Sequence, residues 1–149
     1  MRILATTLLF LLASSGAQAA DGLVTMESRF DVATTSERLI TALNEADLEV
    51  FNEIAHDAGA ESVDLELAPT RVVIFGNPAV GTLLMQCDRS AAIDLPMKAL
   101  IWQEEDTTYI GYNSADYLAE RHGLEGCEEP LEKVAGALGR FAGEAAGRE

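Results

Sequence analysis

Apolar residues along the chain fall into short alternating runs and longer helical stripes. Val24, Met26, Phe30 and Val32 occupy even-numbered positions, the spacing of one strand face, which predicts a strand within 22–33. Thr34 and Glu37 follow with capping-box spacing. Leu39, Ile40, Leu43 and Ala46 then recur at helical intervals, predicting a helix over 35–47 with Thr34 as its N-cap. Residues 48–56 predict a second strand with Val50, Asn52, Ile54 and His56 on one face. A short helix through 58–63 is weakened by Gly59, and Pro69 marks a break. Arg71–Phe75 is a continuous β-branched and aromatic run, as expected of a central strand. It ends at Gly76-Asn77-Pro78, where Gly and Asn tolerate positive φ and Pro forbids helix before it. A short helix is expected over 79–86, with Pro78 at or near its first position.

Residues 96–104 and 107–112 predict a hairpin turning at Glu105-Asp106. Ser114 caps a short helix that stops at Gly123. The last helix is predicted from near Pro130, with Leu131, Val134, Leu138 and Phe141 in its apolar stripe. Gly136, Gly139 and Gly143 within it suit close packing against a sheet or a second subunit, which makes a homodimer one expectation. There is no internal repeat, so the elements form a single α+β domain.

The chain has 149 residues, a natural length for one domain. Asp and Glu number 25 against 10 Lys and Arg, a formal net charge of −15. That balance argues against a phosphate-tracking surface, so nucleic acid is not an expected partner, and neither is an anionic membrane surface. Residues 1–19 read as a secretory signal peptide: Arg2, an apolar run from Ile3 to Leu12, and a small-x-small site at Ala17-Gln18-Ala19. The run is too short to span a bilayer. Cleavage after Ala19 leaves residues 20–149 as the folded domain, without a membrane span, in the periplasm or secreted. Export changes how Cys87 and Cys127 are read, because an isolated pair in an oxidising compartment is a disulfide candidate. Spacing alone leaves open whether they bond or stay as two buried thiols. No CxxC or zinc-ligand spacing is present.

Several segments together resemble the DUF302 family. They are RVVIFGNP, GTLLM, AIDLPMKALIWQ and YLAERHG, with His56-Asp57-Ala58-Gly59-Ala60 similar to the family's His-containing segment. The likeness spans about residues 24–142. It implies an antiparallel sheet with helices on one side, a shape like that of TATA-binding-protein-type domains but with no implication of DNA binding. The family name denotes unknown function, so the resemblance brings no reaction and no cofactor. Some relatives carry Cys immediately before the Asn-Pro turn. Gly76 stands there in this chain, so thiol chemistry at that turn is absent.

His56 beside Asp57 is the first candidate for chemistry, as a proton carrier or as a ligand to a metal or haem iron, and it is the only favoured metal ligand. Asn77, between Gly76 and Pro78, could present amide groups to a ligand at the end of the sheet. Lys98 either faces a pocket or snorkels from an exposed face. Trp102 and Tyr112 on neighbouring strands suit a core or an apolar site. His122 near a helix C-terminus is a favourably placed cation. The clusters Glu104-Glu105-Asp106 and Glu125/Glu128/Glu129 lack EF-hand spacing. Nucleophile-elbow, zincin, P-loop and dinucleotide signatures are all missing. The sequence thus names no cofactor. The first expectation is a non-enzymatic domain binding a small ligand or a partner at His56, Asp57, Gly76–Pro78 and Lys98. The second is an enzyme or a metal- or haem-binding protein using His56. The third is a homodimeric assembly module.

Overall fold

The computed structural model describes residues 22–148, so the leader expected at 1–19 lies outside the described residues. Five antiparallel strands form one sheet in the order β1-β5-β4-β3-β2. They are β1 (Leu23–Ser28), β2 (Glu49–Ala55), β3 (Thr70–Gly76), β4 (Met97–Glu104) and β5 (Thr107–Asn113). The helices are α1 (Val32–Glu45), α2 (His56–Glu61), α3 (Pro78–Cys87), α4 (Ala115–His122) and α5 (Glu128–Ala146), with a 3-10 turn over Arg89–Ile93. The α+β class and the helix-backed antiparallel sheet expected from the sequence are what the chain forms.

Cross-strand partners point to the same face of a sheet. Val73, Phe75, Met97, Ala99, Ile101, Ile110 and Tyr112 are buried on one face, and α1 and α5 lie over it side by side. Leu39 and Leu43 of α1 and Leu138, Phe141 and Ala145 of α5 complete this core. On the opposite face Val72, Ile74, Leu100, Trp102 and Tyr109 are half-buried, with the Trp102 and Tyr109 rings stacked at 5.3 Å.

Several boundaries differ from the sequence expectation, each for a local reason. β1 stops at Ser28, and Phe30 and Val32 lie beyond it. Asp31, not Thr34, is the N-cap of α1, because its Oδ1 accepts the Thr34 amide at 2.7 Å. Thr35 is instead buried in the first turn, its hydroxyl donating to the Asp31 carbonyl at 2.7 Å. Replacing Asp31 with Ala should lower the melting temperature by a few degrees, while Thr34→Ala should leave it almost unchanged; thermal unfolding by circular dichroism checks both. The second helix begins at His56 rather than 58, the last at Glu128 rather than Pro130, and β4 at Met97 rather than Pro96. Gly139 faces its own sheet, where an added β-carbon would sit 3.7 Å from the Tyr112 hydroxyl. At that distance, an ordinary van der Waals contact, a β-carbon would be accommodated.

The single face expected for Val50, Asn52, Ile54 and His56 does not form. The β2–β3 register shifts between Val50 and Asn52, which pair with Phe75 and Ile74. Phe51 is the extra residue of a β-bulge. Past it, Glu53 pairs with Val73 and turns to the helix face, while Asn52 and Ile54 turn to the open one. Glu53 then accepts from the buried Ser36 hydroxyl at 2.6 Å and pairs with Arg71 at 2.9 Å. The Ser36 hydrogen bond, assisted by Arg71, holds the Glu53 carboxyl below its ordinary range. A lowered folded-state value means stability that is complete above the unfolded carboxylate range and lost as pH falls through the folded value. Glu53→Gln should therefore flatten the acid limb of the stability–pH curve, as read by denaturant unfolding at stepped pH.

Candidate functional site

The Gly76-Asn77-Pro78 turn is built as its residues demand. Asn77 is extended and caps α3, its side-chain oxygen accepting the Ala79 amide at 2.9 Å, and Pro78 opens the helix. This leaves the Asn77 amide NH2 free of that bond. α3 then packs against the 3-10 turn and α5, and a groove of about 330 Å³ opens between α3 and the segment entering β4. Its walls come from the turn, from Val80, Gly81 and Met85 of α3, and from Leu95 and Pro96 ahead of β4. A smaller recess of about 80 Å³ continues inward toward Phe75 and Leu138, sharing Gly76, Asn77, Val80, Met97 and Val134 with the groove.

Three backbone features shape this space. The bulge pushes Phe51 out to the groove, where it remains 47% exposed. Bulges characteristically re-aim a side chain in this way. A β-carbon at Gly76 would lie 3.5 Å from Pro96 Cβ and 3.8 Å from the Phe51 ring. A side chain there would project between these two walls. Gly81 leaves the groove open in the same manner, since a β-carbon there would meet only Leu95, at 4.0 Å. Among the described residues the larger groove is lined by no charged side chain, and Asn77 and Thr82 are its only polar side chains. Lys133 borders the inner recess but is paired with Glu129 at 2.7 Å.

The residues singled out from the sequence divide between two ends of β3. Gly76, Asn77 and Pro78 line the groove. Lys98 is not among the lining residues; its exposed side chain folds back on its own segment, the ammonium donating to the backbone carbonyls of Asp94 at 3.0 Å and Pro96 at 2.9 Å. His56 and Asp57 sit at the opposite end, where Ala55 pairs with Arg71. The six residue steps between Thr70 and Gly76 span about 20 Å, so one small ligand does not touch both groups. His56 is exposed, and Asp57 turns its carboxylate to the Thr70 amide at 3.4 Å rather than to the imidazole. Among the described residues no group of three His, Cys, Asp or Glu side chains gathers to hold a metal ion. Trp102 lies on the open face and Tyr112 in the core, where burial raises its phenol pKa above the ordinary value. His122 does end α4, but its side chain is 4% exposed and bonded to Asp94, more than a helix-end cation requires.

Sequence reading found the turn and missed Phe51, Gly81, Met85 and Leu95. Phe51 alternates with Val50 and Asn52 in an ordinary strand pattern, so nothing in its spacing announced a bulge. Cys87 and Cys127 pair at disulfide distance, with α-carbons 6.5 Å apart. The link joins the end of α3 to the residue preceding α5, whose Val134 lines the groove.

Comparison with known proteins places this geometry. The chain is 43% identical over 104 residues to "Fluoride-specific ion channel FluC 1" of Brucella suis biovar 1 (strain 1330), a match covering 69% of this chain and 41% of that protein. The protein of the same name in Brucella abortus biovar 1 (strain 9-941) matches equally, at 43% over 104 residues and 38% of its length. The match spans about two fifths of the length of these curated relatives. The crystal structure of an uncharacterized conserved DUF302 protein from Bacillus stearothermophilus superposes with a TM-score of 0.76 at 19% identity, covering 85% of this chain and 99% of that one. The family model for the domain of unknown function DUF302 matches residues 24–141, nearly all of the described fold, and the chain belongs to that family.

Proposed function

We propose that this protein is an exported binding domain that holds a small, uncharged, apolar ligand in the groove beside Gly76-Asn77-Pro78. One observation carries the reading: in a chain of net charge −15, the groove is walled without a charged side chain. Ligand sites are typically concave, mostly apolar and furnished with a few placed polar groups. The Asn77 amide and the Thr82 hydroxyl are those groups here. An apolar cavity of about 150 Å³ accepts benzene. Twice that space suits a ligand of about ten to fifteen non-hydrogen atoms. The leader-like first 19 residues and the cysteine pair at disulfide distance support export to an oxidising compartment. Native mass spectrometry of protein recovered from the periplasm without refolding tests this. The expected result is a chain beginning at Ala20 with a non-covalently bound apolar molecule. Recovery in the cytoplasm with the leader intact would refute export.

A second reading starts from the curated relatives. Their names describe a channel, while the matched part covers about two fifths of them. Among the described residues no helix is long and apolar enough to cross a membrane. The domain would then work beside a membrane channel rather than as its pore. Detergent co-purification with a fluoride channel of the same organism tests this; absence of the pair at native expression counts against it.

A further inference from the structure

Ser90 and Asp94 lie four residues apart on the 3-10 turn, and His122, distant in sequence, meets both from the end of α4. His122 Nδ1 lies 2.8 Å from the Ser90 hydroxyl, and Nε2 lies 2.6 Å from Asp94 Oδ2. Arg121 Nε fixes the same carboxylate oxygen at 3.0 Å. The imidazole is 4% exposed, whereas Ser90 is at the surface. A nucleophile bonded to a base that a third group orients is the common arrangement for covalent catalysis. With Asp94 ionised, Nε2 carries the proton it donates to the carboxylate, and Nδ1 is left to accept from Ser90. Familiar serine hydrolases use the two ring nitrogens the other way round, but the order hydroxyl, imidazole, carboxylate is the same.

We propose that Ser90, His122 and Asp94 form an acyl-transfer site for small esters, separate from the apolar groove. Ser90 Oγ bonds to the ester carbonyl carbon as its proton passes to His122 Nδ1. The bond from that carbon to the alcohol oxygen breaks, and the alcohol leaves with the proton from Nδ1. Water then adds to the acyl carbon, giving its proton to Nδ1. The carbon–Oγ bond breaks, the acid departs, and Ser90 regains its proton. Asp94 is the positioning residue. It holds the ring and stabilises the imidazolium, with Arg121 fixing its carboxylate. Asp88 is a further charged group near the ring, and its Oδ1 accepts the Ser90 amide at 2.7 Å. The Ala91 amide is bonded to the Asp88 carbonyl at 3.2 Å. With these two amides engaged, neither is free to serve the developing oxyanion. Turnover is therefore slow, and the acyl-enzyme is the quantity to read.

The test treats the folded, disulfide-intact protein with p-nitrophenyl acetate, quenches in acid and maps the acetylated peptide by mass. Acetyl on Ser90 is expected, absent in Ser90→Ala and formed at least tenfold more slowly in His122→Gln and Asp94→Asn, with circular dichroism reporting the fold of each. In the unaltered protein, labelling should slow on acidification, as expected of a base-assisted step. That readout needs no variant of a buried residue. No acetyl on Ser90, or a Ser90 rate indifferent to acidification or to His122→Gln in a folded variant, would overturn the proposal.

Discussion

Replacing Gly81 with Leu is expected to abolish uptake of a small apolar ligand while leaving the fold intact. The position is helical, and a β-carbon there would meet nothing closer than Leu95 at 4.0 Å. A leucine side chain would therefore occupy open groove rather than displace the core. Filling space that the ligand needs should weaken binding by at least tenfold. Removing a mid-helix glycine contributes about 1 kcal/mol of helix propensity in the other direction. The expected pattern is thus loss of binding together with unchanged or slightly raised stability. Fluorescence titration with 1-naphthol as the probe, beside urea unfolding, reads both. Binding lost through global destabilisation would give the opposite sign in the second measurement.

The second large effect concerns Cys87 and Cys127. Removing the link with Cys87→Ser and Cys127→Ala together is expected to lower the unfolding free energy by about 4 kcal/mol, from the chain entropy of the loop it closes. The sequence separation of 40 sets that figure. Domains of this size are stabilised by about 5–15 kcal/mol in all, so the loss would be a large share, visible in the urea midpoint. It should also loosen the groove, because the link ties the end of α3 to the residue preceding α5, and both helices contribute walls. Probe affinity should fall alongside stability. An unchanged midpoint after removal would mean that the pair constrains neither.

The fold was legible wherever a local rule acts alone. Ser114 as a cap, Gly123 in the left-handed region and Pro78 opening its helix are each decided within a few residues. The strands Arg71–Phe75 and Thr107–Tyr112 were legible because apolar runs bounded by turn residues have few alternatives. Asp31 displaced Thr34 because both can cap, and burial of Thr35 beneath the helix chose between them. The bulge at Phe51 was hidden because register belongs to a pair of strands, not to one. The turn half of the groove could be read from Gly76-Asn77-Pro78. The remainder comes from residues as distant as Phe51, Leu95 and Val134, which only the packing of α3 against α5 and the 3-10 turn assembles. Asp94 and His122 stand 28 residues apart, beyond any periodicity.

The most direct test of the groove as the binding site is an NMR titration of the 15N-labelled protein with 1-naphthol. Saturable shifts concentrated at the amides of Gly76, Asn77, Val80, Gly81 and Met85 are expected. Saturable shifts centred instead on Val72, Leu100 and Trp102 of the open sheet face, or on His56 at the far end of β3, would contradict the assignment, as would the absence of saturable shifts anywhere.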